Sequence, residues 1–375
     1  MKRDRLSWLG STALFIVAGL VFAGVVFPGV AVGQDVSAWE GANPIVPIPD
    51  PPLGIGTEKK QPAKLTDFPE PPTPQRVRLG RWLFFDKRLS ADNTIACATC
   101  HRPRNGFSEP TPVSAGIGGQ KGGRKAPSFT NQAWTRLPHF FWDGRAGSLE
   151  EQAGGPMINP IEMGSKNHQV VVAKLADIPS YPTYFKEAFG TEVVTIERIT
   201  KAIADYERTR MSGNSAWDRW RAGDQNAVTD EVKQGHRLFF GNAFCNNCHL
   251  GQNFTDSDFH NLGVGWDPEA KAFADDGRYA VTKKDADKGA FKTPSLRDVS
   301  KRAPYMHDGS MKTLREVVKL YSKGGEPNPY LDRKIDRRFA EQLDLTEADI
   351  TALVKFMEAL DGEGYQDTAP TAFPQ

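Results

Sequence analysis

The sequence predicts a mainly α-helical fold in which one helical unit occurs twice and long loops connect the helices. Apolar residues recur at helical spacing in segments such as 73–85 and 347–360, and no segment alternates as a half-buried strand does. The 35 Gly and 27 Pro among 375 residues indicate long irregular connections. Residues 80–85 (GRWLFF) return as residues 235–240 (GHRLFF), which indicates a duplicated unit.

The N-terminal segment, residues 1–33, predicts export from the cytoplasm. Lys2, Arg3 and Arg5 precede an uncharged stretch that ends in small residues, as in a signal peptide. The apolar run is also long enough to span a bilayer, so a cleaved signal and a retained inner-membrane anchor both remain open. Either alternative places the rest of the chain outside the cytoplasm. Residues 34–74 are rich in Pro and predict an extended linker that either spaces the domain from the membrane or lies along the surface of the domain.

The rest of the chain divides into an N-terminal unit, residues 75–220, and a C-terminal unit, residues 221–375. Each unit begins with one copy of the repeat and contains several amphipathic segments. Helices are expected at residues 73–85, 168–176, 181–189, 195–211, 228–240, 314–322 and 347–360. A further helix is expected to begin after Ser148, whose hydroxyl suits an N-cap.

Each unit contains one Cys-x-x-Cys-His motif, and the two motifs use all four cysteines of the chain. This spacing attaches a c-type haem, because the two thiols bond to the haem vinyl groups and the adjacent His binds iron. The motif residues are Cys97, Cys100 and His101 in the first unit and Cys245, Cys248 and His249 in the second. Two covalently bound haems are therefore predicted, with two disulfides or one four-cysteine zinc site as the competing interpretation.

Charge and compartment narrow the range of partners. The formal net charge of +1 and the absence of a basic run from the sequence argue against a nucleic-acid partner. Covalent haem attachment and the cysteine usage suit an extracytoplasmic compartment. A periplasmic protein, soluble or tethered to the inner membrane, is expected.

Three further motifs accompany the haem sites: residues 141–145 (FWDGR), 155–163 (GPMINPIEM) and 304–309 (PYMHDG). With them, the chain from about residue 73 to 360 resembles the bacterial di-haem cytochrome c peroxidase superfamily and, within it, the MauG-type branch. The resemblance implies an all-α fold of two cytochrome-c-like domains. It also implies an enzyme that reduces hydrogen peroxide at its N-terminal haem.

For the first haem, the resemblance implies that His101 is the proximal ligand and that the opposite position is open. No His or Met occurs between residues 102 and 138, and His139 is the first such side chain. Glu162 matches the distal acid/base that moves a proton between the two peroxide oxygens. A solvated Glu at a helix start is the alternative. Gln152 and Pro156 match residues that shape the same pocket.

For the second haem, His249 is the implied proximal ligand and Tyr321 occupies the position of the distal one. A phenolate stabilises high oxidation states of iron, whereas a Met ligand raises the potential. Met306 and Met311 are the competing ligands. Trp142 matches a Trp between the two haems that relays electrons, although core packing is the usual role of a Trp.

His307 is expected at the seam, which is the region where the N-terminal and C-terminal units contact each other. Members of the family also hold a Ca²⁺ ion there. His307 matches a residue that hydrogen-bonds near the haems. The calcium ligands would be the backbone carbonyls of Arg302 and Pro304 together with an Asn side chain. Lys125 stands at the Asn position and supplies no oxygen, so calcium binding is an open question.

The predicted function is a MauG-like peroxidase that passes oxidising equivalents to a periplasmic protein partner, whose Trp or Tyr residues lose electrons. One alternative is a peroxidase that detoxifies peroxide with a small cytochrome c or cupredoxin as donor. Another is a non-enzymatic di-haem electron carrier or sensor. Phe244 replaces the surface Trp with which the quinone-cofactor-maturing enzyme reaches its substrate, so that particular substrate is not expected.

Overall fold

The computed structural model describes residues 36–335, 343 and 345–375. The predicted signal or anchor segment, residues 1–33, lies outside the described residues. Within the described ranges, no helix has the length and apolar composition of a membrane span.

Helices dominate the described chain. The α-helices are α1 (Val36–Ala42), α2 (Pro74–Phe85), α3 (Cys97–Cys100), α4 (Leu149–Ile158), α5 (His168–Ala176), α6 (Tyr181–Phe189), α7 (Ile196–Arg208), α8 (Ala216–Arg221), α9 (Asp230–Phe240), α10 (Tyr279–Thr282), α11 (Leu314–Ser322) and α12 (Glu347–Glu358). The mainly helical prediction is confirmed. The expected helices agree with α2, α5, α6, α7, α9, α11 and α12 to within three residues at their ends.

Side chains cap the starts of helices α4 and α11, and the cap at Ser148 was predicted from the sequence. The Ser148 hydroxyl accepts a hydrogen bond from the Glu151 backbone N–H at 3.0 Å, which satisfies a donor that α4 leaves unpaired. Thr313 does the same for Glu316 at the start of α11, at 3.1 Å. These caps fix the starting points of two helices that line the sites described below.

Four short strands were not predicted. β1 (Phe259–Asn261) pairs antiparallel with β4 (Ala290–Lys292), and β2 (Trp266–Asp267) pairs antiparallel with β3 (Ala272–Phe273). Strands of two or three residues are too short to produce a visible alternation, so sequence reasoning assigned the whole region to a loop. The β1–β4 pair places Lys292 at the wall of the cavity beside His249 and of a smaller cavity beside His101.

The repeated sequence forms the same helix crossing in both units. In the first, a Cβ added to Gly80 of α2 would lie 1.8 Å from the Ala202 carbonyl oxygen of α7. In the second, a Cβ added to Gly235 of α9 would lie 2.0 Å from the Ala352 carbonyl oxygen of α12. Only glycine permits so close a crossing, because any Cβ would overlap the facing backbone. The repeat in the sequence is therefore a repeat in the packing.

Residues 36–74 pack against the first unit at several points. Trp39 is 4 % exposed, and its indole N–H donates to the Tyr184 hydroxyl at 2.6 Å. Leu65 is buried in a small cluster with Trp134, whose indole N–H donates to the Pro62 carbonyl at 2.7 Å. This Pro-rich segment thus contributes apolar side chains to the core.

Helix α8 joins the two units. Asp218 of α8 accepts two hydrogen bonds from the Arg297 guanidinium, at 2.5 and 3.0 Å, and both side chains are fully buried. Trp217 packs edge-on against Phe254, with ring centroids 4.9 Å apart. The sequence division at residue 220 therefore falls at the end of a helix that already contacts the second unit.

Candidate haem-binding active site

The two motif histidines have the same orientation. The Nδ1 atom of His101 lies 3.0 Å from the Phe107 carbonyl oxygen, and that of His249 lies 3.0 Å from the Phe254 carbonyl oxygen. A carbonyl can only accept, so each Nδ1 holds the proton and each Nε2 keeps its lone pair. This is the tautomer that an axial iron ligand needs.

The four cysteines are free thiols, so the two-disulfide interpretation is wrong. In the part of the chain that the structure describes, the only cluster of potential metal ligands is Cys248 with Asp256 and His260. The four thiols do not meet in a single zinc site, and that interpretation is wrong as well. Burial raises the pKa of the Cys97 and Cys245 thiols to about 12, so neither is a thiolate at neutral pH.

Each motif lines its own cavity. The first is lined by Cys97, Cys100, His101, Trp142, Gln152, Pro156 and Glu162. The second is lined by Cys245, Cys248, His249, Trp142, Met306, His307 and Tyr321. In each, two thiols and an imidazole with a free Nε2 face apolar walls. These residues fit a covalently attached haem.

Glu162 is held in the first cavity by the Gly-rich loop, residues 114–123. The Ile117 backbone N–H donates to the Glu162 carbonyl at 2.9 Å. A Cβ added to Gly116 would lie 2.0 Å from the Ile161 carbonyl oxygen, so glycine is required for this contact. The loop therefore lies along the cavity wall and fixes the backbone that carries the predicted acid/base.

Glu162 also borders a cleft that opens to the surface. That cleft is lined by Arg145, Asn159, Glu162, His168 and Lys201. Burial raises the pKa of the Glu162 carboxyl, and Arg145 partly opposes the shift. Glu162 therefore lines both the first cavity and the cleft through which a small molecule would enter from solvent.

Trp142 is the only predicted site residue that lines both haem cavities. Its indole N–H donates to the Lys125 carbonyl at 2.8 Å, and its own carbonyl accepts from the Lys292 N–H at 2.8 Å. One hydrogen bond thus fixes the edge of the indole ring, and the other fixes the backbone of Trp142.

In the second cavity, Tyr321 projects from α11. Burial raises the pKa of its hydroxyl, which also lies within electrostatic range of the Cys248 and Cys245 sulfur atoms. Only a strong local positive charge such as ferric iron would hold this group as a phenolate. Met306 lines the same cavity, whereas Met311 is not among its lining residues. The choice between Tyr321 and Met306 as iron ligand stays a prediction.

His307 and the expected calcium residues lie at the seam between the units. The His307 ring stacks on Phe291 with centroids 3.6 Å apart, and burial lowers its pKa. Arg302 is buried, and Pro304 is half-buried. Lys125 is also buried, and its backbone N–H donates to the His307 carbonyl at 2.8 Å.

Two residues in the first cavity region were missed by sequence reasoning. Lys292 lines the second cavity and a smaller cavity beside His101, and burial lowers its pKa to about 8. Among the described residues it forms no ion pair, and its ammonium lies 5.5 Å from the centroid of the Phe140 ring. Glu207 of α7 is 5 % exposed and lines the first cavity, and its Oε2 has no hydrogen-bond partner. Burial raises its pKa to about 8.

A third missed residue, His260, stands at the second cavity. Its Nε2 lies 2.9 Å from Asp256 and its Nδ1 lies 2.5 Å from Asp332. Burial alone would lower its pKa, but the hydrogen bonds to the two carboxylates raise it to about 11. Because Asp332 is 72 residues away in sequence, no local pattern indicates this clamp.

Comparison with known proteins agrees with this geometry. Residues 74–226 match the model of the di-haem cytochrome c peroxidase family. The chain is 40 % identical over 303 residues to the methylamine utilization protein MauG of Methylorubrum extorquens, covering 80 % of this chain and 82 % of that protein. It is 39 % identical over 295 residues to the cytochrome c peroxidase Ccp of Escherichia coli, covering 78 % and 59 % respectively.

A solved structure of a MauG-like protein associated with microbial copper homeostasis has the same fold. It superposes with a TM-score of 0.73 at 31 % identity, over 81 % of this chain and 94 % of that one. Relatives with both kinds of name, MauG and cytochrome c peroxidase, therefore align with most of the chain at similar identity.

Proposed function

The chain belongs to the di-haem cytochrome c peroxidase family, and from this premise we propose that it is a MauG-type peroxidase that oxidises a protein partner in the periplasm. As a family member it is a haem oxidoreductase with two c-type haems, hydrogen peroxide as oxidant and a protein as the other reactant. The proposal concerns which haem reacts, how the second is ligated and what is oxidised.

The observation that carries the proposal is the contrast between the two cavities. The first has Glu162 at its opening to a surface cleft. The second is lined by Tyr321, whose hydroxyl lies within electrostatic range of both cysteine sulfur atoms. An accessible carboxyl suits peroxide entry, and a phenol near the iron site suits a closed centre that stores charge.

When bound, the first haem supplies the iron at which the O–O bond of peroxide breaks. Glu162 takes the proton from the peroxide oxygen nearer the metal and returns it to the outer oxygen, which leaves as water. Its raised pKa fits the first step, because a carboxylate whose pKa is raised by burial is a stronger base toward the peroxide proton. Gln152 and Pro156 restrict the space beside it.

Trp142 connects the two halves of the reaction. Its ring borders both cavities, and its two anchoring hydrogen bonds, each 2.8 Å long, hold it in one position. An indole in this place relays electrons from the second unit to the first. The electrons that reduce the peroxide are then withdrawn from Trp or Tyr side chains of the partner protein.

The export prediction and covalent haem attachment support a periplasmic location. The second candidate function is peroxide detoxification with a small cytochrome c or cupredoxin as donor. Met306, which also lines the second cavity, favours this candidate because Met ligation would raise the potential of the second haem. The family membership argues against a non-enzymatic carrier or sensor.

Peroxide addition to the fully oxidised holoprotein tests the proposal. We expect reaction without prior reduction, and we expect Tyr321→Phe to change the absorption of the second haem while Met306→Leu leaves it unchanged. A protein that is inert until half-reduced, or one whose second-haem absorption changes only in Met306→Leu, would instead be a donor-dependent cytochrome c peroxidase.

A further inference from the structure

Two buried cationic side chains, Lys125 and Arg302, occupy the seam between the units. Lys125 is 5 % exposed and Arg302 is 8 % exposed. Neither forms an ion pair with a carboxylate among the described residues, although Glu109 lies within electrostatic range of Lys125 and Asp298 within that of Arg302. Buried charges normally require such a partner, so the way these two are stabilised calls for an explanation.

Both cations are stabilised by backbone carbonyls. The Lys125 ammonium donates to the carbonyls of Glu109 and Thr111, the latter at 3.2 Å. The Arg302 guanidinium donates to the carbonyls of Arg297 and Ser295, the latter at 2.7 Å. Backbone carbonyl oxygens are among the ligands that Ca²⁺ takes in proteins, so the two side chains use a kind of oxygen that a hard metal cation could also use.

The same residues make a poor site for the Ca²⁺ that the family resemblance implies here. Lys125 supplies N–H donors where a calcium ligand must supply oxygen. Lys125 and Arg302 also lie within electrostatic range of each other. A divalent ion added between them would meet two positive charges in a medium that screens poorly.

The position of Lys125 links the cation pair to the inter-haem Trp. The Lys125 carbonyl accepts the Trp142 indole N–H at 2.8 Å, and its backbone N–H donates to the His307 carbonyl at 2.8 Å. The stem of Arg302 packs on Gly106, in the loop that follows the first haem motif. Fixing the Lys125 ammonium thus fixes the backbone that orients Trp142.

We infer that Lys125 and Arg302 replace the inorganic cation of the seam and that Lys125 is a positioning residue for Trp142. The two side chains hold the carbonyls of both units in place without a metal ion. The protein therefore keeps its inter-haem geometry in the presence of chelators. This inference does not depend on which partner is oxidised or on the ligand of the second haem.

Elemental analysis of the purified holoprotein tests the first half of the inference. We expect less than stoichiometric calcium, and we expect prolonged chelator treatment to leave unchanged both haem spectra and the rate at which the second haem responds after peroxide addition. Stoichiometric calcium, or a chelator-induced loss of the second-haem response that added Ca²⁺ restores, would overturn it. This measurement needs no variant.

Variants test the positioning role. Lys125→Met removes the ammonium and keeps most of the side-chain volume, and we expect the response of the second haem to slow by about tenfold or more because Trp142 loses its fixed position. Lys125→Arg, which keeps the charge, is expected to retain most of the rate. Lys121→Met, an exposed lysine of the same loop, is the matched control.

The asparagine variant is the sharpest discriminator. Lys125→Asn supplies an oxygen ligand and removes one positive charge, so we expect its slow response to accelerate when Ca²⁺ is added, with no such effect in the wild type. If Lys125→Met responds as fast as Lys121→Met, Lys125 does not position Trp142 and the inference fails.

Discussion

The two haem units share a scaffold and differ in what faces the iron. Gly80 and Gly235 permit the same close helix crossing, with added Cβ atoms 1.8 and 2.0 Å from a facing carbonyl oxygen. An aromatic ring packs beside each crossing: Phe84 on Tyr206 with centroids 5.1 Å apart, and Phe239 on Phe356 at 4.9 Å. These contacts hold the haem motif in each unit and carry no chemistry of their own.

The difference lies in the polar groups. The first cavity contains Glu162, next to a surface cleft, and Glu207. Where α7 has Tyr206 and Glu207, α12 has Phe356 and Met357, and Met357 lines the second cavity. Among the residues that the structure describes, carboxyl groups line only the first cavity, and this difference makes two similar scaffolds chemically unequal.

The largest effect is expected from removing the carboxyl that distinguishes the first cavity. Glu162→Gln keeps the shape but cannot transfer a proton, so the rate of reaction with peroxide should fall by roughly 10²–10⁴-fold. Stopped-flow absorption measures this rate. Glu192→Gln, at an exposed Glu paired with Lys186, should react at the wild-type rate. An unchanged rate in Glu162→Gln would make the two cavities equivalent in this respect.

Breaking the shared scaffold should affect both units alike. Gly80→Ala and Gly235→Ala each place a methyl group against a facing backbone carbonyl, and each should destabilise the fold by about 1–3 kcal/mol. Thermal unfolding of the holoprotein measures the effect. Gly41→Ala in α1, where an added Cβ meets nothing within 4 Å, is the control. If only one of these two variants lowers the stability of the fold, the two helix crossings are not equivalent.

The smallest effect concerns the pH dependence of stability. Glu207 holds its proton up to a pKa of about 8 in the folded state, against an ordinary value of 4.5. Between these values the unfolded chain releases the proton and the folded chain keeps it, so this group favours unfolding increasingly as the pH rises from 4.5 to 8.

Glu207→Gln removes the titrating carboxyl and with it the fall in folding stability between pH 4.5 and 8. The variant should therefore gain stability relative to the wild type across that window, by about 1 kcal/mol or more at pH 8. Denaturant unfolding of the holoprotein at several pH values measures the difference, with Glu192→Gln as the exposed control. A difference that does not vary with pH would mean that Glu207 is not neutral in the folded state.

Local sequence signals predicted what is local in the structure. The cap at Ser148 and the apolar spacing of helix α2 involve residues that are close in sequence. The haem motifs likewise have a fixed spacing in the sequence. The Glu207–Met357 contrast lies in α7 and α12, and these two helices are aligned by the contacts of Gly80 with Ala202 and of Gly235 with Ala352, which only the structure shows. The two-residue strands were too short for a periodic signal.

Long-range packing explains the rest. The His260 clamp needs Asp332, and the Lys125 ammonium finds its carbonyls through the fold of the loop that holds Glu109. The expected Ca²⁺ site came from the resemblance to the family. That site needs an Asn side chain, and this chain has Lys125 in its place. Such contacts depend on tertiary structure, which a motif does not encode.

The electron paramagnetic resonance spectrum of the fully oxidised holoprotein tests the inequality of the two units most directly. The account predicts one high-spin ferric signal, from the unit with His101, and one low-spin signal, from the unit with His249, with the low-spin signal altered in Tyr321→Phe. Two low-spin signals, both unaffected by Tyr321→Phe, would contradict this expectation. The iron in the first unit would then have a sixth ligand, and the iron in the second unit would be bound by a ligand other than Tyr321.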